Sequence, residues 1–158
     1  MVSLADLDLN FETDGYKVYI KRVDGGRFKW EKNITLFLKK GDCEDFLCFV
    51  KVFLGYDYYK PWVEVFSINP KPCGYEFFGS KIEREMFKRF YEFLPKGGRL
   101  YVEYYEDTQT FNVLKGDRDP SESRMGKVLL EVGFGKLRNW YYPEGLREGG
   151  QKIGAEKV

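Results

Sequence analysis

The chain has 158 residues, the length of one ordinary domain with a single substantial core. Its 26 Lys and Arg stand against 25 Asp and Glu, so no overall basic field recruits nucleic acid, which is not an expected partner. Histidine is absent, which removes the commonest general base and metal ligand and leaves any catalysis to carboxylates, Tyr, Cys, Lys or backbone amides. Three cysteines, Cys43, Cys48 and Cys73, sit at spacings that match no zinc or redox pair, so a reduced, cytoplasmic protein without a disulfide framework is expected. The start has no secretory pattern and no apolar run approaches bilayer length, so no membrane partner is expected. Charged residues at 32% and aromatics at 18% predict a core built from rings under a mixed-charge surface, and abundant Lys and Glu suit a heat-adapted protein.

In chain order, the first half reads as an antiparallel meander. "YKVYIKRV" (16–23) alternates and "DGG" supplies a hairpin turn. "NITLFLKK" places Ile34, Leu36 and Leu38 on one face, and the almost unbroken "FLCFVKVFL" (46–54) predicts a central strand covered on both faces. "WVEVFSI" (62–68) follows as a further strand. The period then changes. Ser80 and Glu83 form a capping box, Ile82, Met86, Phe87, Phe90 and Leu94 mark a helical face, and Pro95 with "GG" ends it. "RLYVEYY" is a strand, and the polar "EDTQTFNVLKGDRDPSES" reads as a long functional loop. Met125, Val128, Leu129 and Val132 form a second stripe closed by Gly133, before two last strands, "KLRNWYY" and "QKIGAEKV".

The close "VLLEVGFGKLRNWYY" resembles the end of GCN5-related N-acetyltransferase domains, and "LPKGGRLYVEY" with "LLEVGF" resembles the last third of S-adenosylmethionine-dependent methyltransferases. A hairpin-rich first half without a Gly-rich cofactor turn favours the former. The expected fold is therefore α/β, acetyltransferase-like: one domain over 1–158, a mixed and mostly antiparallel sheet, helices after the fourth and fifth core strands. The order "VEYYEDTQT", "SRMG", "WYYPEG" also resembles a mainly archaeal family without assigned function.

The acetyltransferase resemblance implies an acetyl-CoA or other acyl-CoA cofactor, its phosphates on the turn before the first helix. Gly74, Phe78, Gly79, Ser80 and Lys81 occupy that turn, although of the family's Gly pattern falling on Gly74, Phe77 and Gly79 only the last Gly agrees. Acyl transfer to an amine would need a base, for which Glu64 beside Trp62 and Phe66 is the candidate, and an acid. The family's Tyr falls on Leu129, so Tyr104, Tyr141 or Tyr142 would have to substitute. Glu103, Asp107, Arg124 and Trp140 are candidates for holding a substrate, with Arg138 near enough in sequence to help hold an anion. The loop acids Glu103, Glu106, Asp107, Asp117 and Asp119 suit at best a hard cation, and solvated acids are the commoner reading. A non-enzymatic small-molecule or protein-binding module and a methyltransferase relative are the rival readings, and a homodimer is compatible with all three.

Overall fold

The alternating segments do pair in sequence order. In the computed structural model, which describes residues 2–141 and 151–158, β1 (Phe11–Thr13) and β2 (Tyr16–Gly25) form a hairpin. Asp14 and Gly15, both at positive φ, close it as an Asp-Gly turn should. β3 (Glu31–Lys40), β4 (Cys43–Phe53) and β5 (Trp62–Phe66) extend the meander, each antiparallel to its predecessor. Helix α1 (Lys81–Phe93) then crosses over the sheet, so that β6 (Arg99–Glu103) lies parallel to β5. After α2 (Thr108–Lys115) and α3 (Arg124–Val132), β7 (Gly135–Tyr141) forms the far edge. β8 (Gln151–Glu156) inserts antiparallel between β6 and β7, giving the order β1-β2-β3-β4-β5-β6-β8-β7.

This architecture corrects the acetyltransferase-like expectation. The sheet is mixed and mostly antiparallel, but it is one continuous eight-stranded surface with three α-helices among the described residues. Its first five strands are neighbours in chain order, and β5 stays paired to β6 from Trp62↔Arg99 to Val65↔Val102 instead of splaying away. The physical reason lies in the first half: every connection there is a hairpin or short loop, so no helical layer forms before residue 81. A single parallel pair is likewise not the largely parallel sheet that the methyltransferase resemblance implies.

The helices cover one face only. Val63, Val65, Leu100, Val102, Ile153 and Ala155 alternate into the core with Ile82, Met86, Phe87, Phe90, Met125 and Leu129. The opposite face carries Phe46, Phe49, Phe53, Trp62, Phe66 and Tyr101, half-buried or exposed. β4 is therefore not covered on both sides as its apolar run suggested: Leu47, Cys48, Val50 and Val52 are buried, while Phe49 on the other face is 40% exposed. Ring-to-ring packing lets an uncovered face be apolar. Phe46 and Phe49 lie 4.8 Å apart, and Phe49 and Phe66 5.6 Å.

The caps form as the residues dictate. Ser80 Oγ accepts from the Glu83 amide, and Gly133 at φ 128° takes the amide-donating stop of α3. The polar loop is not structureless: α2 buries Thr110, Val113 and Leu114, an apolar face too short to show periodicity beside so many polar neighbours. Cys43 and Cys73, 30 residues apart, form a disulfide between the start of β4 and a 3-10 turn (Pro72–Gly74), which corrects the expectation of free thiols. Spacing gave no sign of it, because the two meet only through the hydrogen-bonded sheet. Cys48 stays free and buried, where burial pushes its thiol pKa well up. Replacing Cys43 and Cys73 by Ser should cost about 3.6 kcal/mol, the loop-closure entropy of a 30-residue ring, read as a lower urea midpoint. A midpoint unchanged from the oxidised protein would mean that the bridge contributes nothing.

Candidate functional site

The turn at 74–81 was the expected phosphate site, and several of its groups are already engaged within the protein. Gly79 N donates to Glu83 Oε1 at 3.1 Å, Ser80 N to the Phe77 carbonyl, and Glu83 N to Ser80 Oγ. The anion that sits at the positive start of α1 is thus the protein's own Glu83. Glu83 is fully buried and takes a two-pronged grip from Arg124, Nη1 to Oε1 and Nη2 to Oε2, each 2.7 Å. The same guanidinium reaches Asp107 Oδ2 through Nε at 3.0 Å and Nη2 at 2.7 Å, and Thr110 Oγ1 donates to that oxygen as well. Burial pushes the Glu83 carboxyl above its ordinary range, more than Arg124 and the Gly79 amide pull it down. Burial works against the charge on Arg124 too, yet the hydrogen bonds it donates to Glu83 and Asp107 outweigh it and hold the guanidinium firmly protonated.

Phe78 packs beneath Arg124, its ring centroid 5.7 Å from the guanidinium carbon. Lys81 reaches out to Asp14 at 3.4 Å, and Gly74 lies exposed on the 3-10 turn. Arg124 and Asp107, expected to hold substrate, instead lock the starts of α1, α2 and α3 together. Tyr104 is equally structural. It is buried, and its hydroxyl donates to Asn139 Oδ1 at 2.7 Å. Tyr142 and the Tyr141 side chain lie outside the described residues. Among the described residues no three acids or cysteines gather as a metal site.

On the uncovered face the sheet builds a different constellation. Glu64 does alternate onto the same face as Trp62 and Phe66, but Lys152 Nζ reaches it at 3.2 Å, both side chains almost wholly buried. A carboxylate held this way is occupied by its cation, which removes Glu64 as a free base. Glu103 lies directly across from Lys152 and accepts from the Ser67 amide at 3.1 Å. Burial raises its pKa, against the pull of that amide and Lys152.

Towards the start of β5 and β6 the same face opens. Trp62 stacks near Phe53 with centroids 5.7 Å apart, Tyr101 meets Trp62 at 6.4 Å and Trp140 at 5.7 Å. Gly154 makes this row possible, since a Cβ there would stand 3.2 Å from the Tyr101 ring. A cavity of ≈ 300 Å³ is walled by Trp62, Tyr101, Tyr58, Tyr59, Lys60 and Arg99. On the other side of the Arg99 and Tyr101 ridge, a narrow cleft of ≈ 30 Å³ is bordered by Lys136, Arg138 and Trp140. Glu156 pairs with Lys136 at 3.2 Å and with Arg99 at 3.5 Å, while no carboxylate among the described residues pairs with Arg138. Four cations, Lys60, Arg99, Lys136 and Arg138, therefore meet one acid beside a wall of rings.

Of the residues singled out in the sequence, Trp140 and Arg138 belong to this opening. Trp62, Tyr101, Arg99 and the 58–60 turn were missed. The one sequence signal for them was outward alternation: Trp62 and Tyr101 occupy strand positions where a solvated face normally carries polar side chains.

The family model described as a protein of unknown function (DUF1122) matches residues 14–158. A solved crystal structure of a protein of unknown function from Aquifex aeolicus VF5 is similar throughout, with 41% identity and a TM-score of 0.80 over 96% of this chain and 76% of that one. Among curated proteins none matches. With nearly its whole length matched, the chain belongs to the DUF1122 family.

Proposed function

We propose that this protein binds a phosphorylated small molecule carrying an aromatic ring, a nucleotide or a nucleotide-tailed cofactor such as an acyl-CoA, on the open face of its sheet. The observation that carries this reading is the meeting of a ring wall with a locally cationic rim. Trp62 and Tyr101 line a cavity large enough for a base, and Arg99 with Arg138 lies next to it, on a protein whose overall charge is nearly zero. Guanidinium groups suit a phosphate, whose oxygens accept paired hydrogen bonds. The turn before α1 is the weaker candidate, because a phosphate there would have to displace the buried Glu83 carboxylate from Arg124 and Gly79.

Isothermal titration with ATP, CoA and acetyl-CoA at low salt tests the reading. Binding by the wild-type protein is expected, with Trp62→Ala and Arg138→Gln each weakening it about 10-fold or more through lost stacking and a lost charged hydrogen bond. Arg138 is exposed, so its replacement leaves the fold intact. The reading is wrong if millimolar amounts of all three ligands give no heat, or if Arg138→Gln binds as the wild type does.

A further inference from the structure

Two openings flank the β6 ridge of Arg99 and Tyr101, and the smaller is shaped by a strained piece of backbone. The pairing of β7 with β8 slips between Gly135↔Glu156 and Arg138↔Gly154, so that Lys136 and Leu137 both face Ala155. In unbroken register Lys136 would share the covered face with Ala155, which is buried. Instead Lys136 adopts a φ of 50°, in the left-handed region that a lysine rarely enters, and its side chain borders the cleft on the open face beside Arg99 and Arg138. Leu137 takes the inward place and packs against the core. Backbone strain of this kind concentrates where a side chain has to be aimed at a ligand.

Lys136 is aimed at Glu156. Its Nζ lies 3.2 Å from Oε2, and Arg99 Nε lies 3.5 Å from Oε1. The acid is the inner member of the group: its side chain is 18% exposed, against 67% for Lys136 and 51% for Arg99. The hydrogen bond from Lys136 holds the Glu156 carboxyl below its ordinary range, so the group stays charged at neutral pH. A carboxylate between cations, in a cleft of ≈ 30 Å³, sits where a phosphate group would be held.

The spacing of the two openings points to the ligand. The ring cavity is walled by residues of β4, β5 and β6 and is centred over β5, while the cleft is bordered by β6, β8 and β7 and is centred over β8. Two inter-strand steps separate them, roughly 10 Å. From a ring in the cavity, a phosphate attached directly to the sugar stops short of the cleft, and a second phosphate beyond it crosses the ridge.

We infer that the cleft of Arg99, Lys136 and Arg138 is the subsite for the second phosphate of a nucleoside diphosphate group, and that Glu156 occupies it until that phosphate displaces the carboxylate. The inference rests on the ligand site proposed above and specifies the class of ligand it takes. Arg99 borders both openings and holds the link between the two phosphates. Glu156 is then a specificity residue, since a ligand with no phosphate in the cleft leaves it in place.

Isothermal titration of the full chain with adenosine, AMP and ADP, on the wild-type protein and on Glu156→Gln and Lys136→Gln, provides the test. ADP should bind the wild type about 10-fold tighter than AMP or better. Glu156→Gln should tighten ADP about 5-fold or more, because the amide neither competes for the cations nor repels the phosphate, and should leave adenosine as it was. Lys136→Gln should weaken ADP about 10-fold and leave adenosine as it was, which separates loss of the subsite from damage to the fold. AMP binding as tightly as ADP, Glu156→Gln binding ADP no tighter than the wild type, or ADP indifferent to Lys136→Gln each overturns the inference. The ligand site then still stands, provided ATP binding depends on Trp62 and Arg138. Absence of heat with ADP overturns the inference whatever ATP does, and absence of heat with ATP, CoA and acetyl-CoA as well removes both readings.

Discussion

Replacing Arg124 by Met should lower the stability of the protein by about 3 to 5 kcal/mol, the cost of leaving buried acids without their cation. Glu83 is fully buried and Asp107 nearly so, and Arg124 is the cation both of them touch. Methionine fills much of the space over Phe78 and restores none of the four guanidinium hydrogen bonds to these acids. The loss should depend on pH. Burial already raises the Glu83 pKa above its ordinary 4.5, so its contribution to stability is full below that value and is lost as pH rises through the folded pKa. Without Arg124 the folded pKa climbs further, and the deficit should be smaller at pH 5, where Glu83 can take a proton, than at pH 8. Urea melts of the wild-type and variant proteins at the two pH values measure this. A deficit equal at both would mean that Glu83 is not the group left stranded.

Gly126→Ala should cost about 3 kcal/mol or more, seen in calorimetry as a drop in Tm of about 6 to 12 °C. Gly126 lies in the first turn of α3, where the 3-10 turn Pro120–Glu122 folds back over the helix start. A Cβ there would stand 1.9 Å from the Pro120 carbonyl oxygen and 2.8 Å from Ser123 Oγ, the oxygen that caps the Gly126 amide. Neither neighbour is the loose end of a long side chain, so the turn or the helix must move. Gly116→Ala serves as the control: its φ is −89° and its nearest neighbour would be 3.6 Å away, so no comparable loss is expected. A Gly126→Ala protein as stable as the control would show that the 3-10 turn yields easily.

Much of the local structure was legible in the residues. The Ser80 and Glu83 capping box, the Ile82 to Phe90 stripe and the Gly133 stop act within one turn of chain, where the pattern is the interaction. Yet even the capping box hid its partner. That Glu83 would be gripped by Arg124, 41 positions later, depends on α1 and α3 packing side by side. Beside the turn expected to take a cofactor phosphate, a side chain from a distant helix already holds an acid.

The ring row on the uncovered face teaches the same lesson in reverse. No stretch of sequence is a basic aromatic stripe, because Phe53, Trp62, Tyr101 and Trp140 come from separate strands and meet only through the sheet. By itself the sequence determined the hairpins, the two longer helices, their caps and the alternation that buries one face of each strand, since all of these follow from periods of two and 3.6 residues and from turn chemistry. Only the tertiary structure decided which face stayed open, which cysteines met, which acids were paired and where the surplus cations gathered, because each of those depends on residues far apart in the chain lying across strands about 4.8 Å apart.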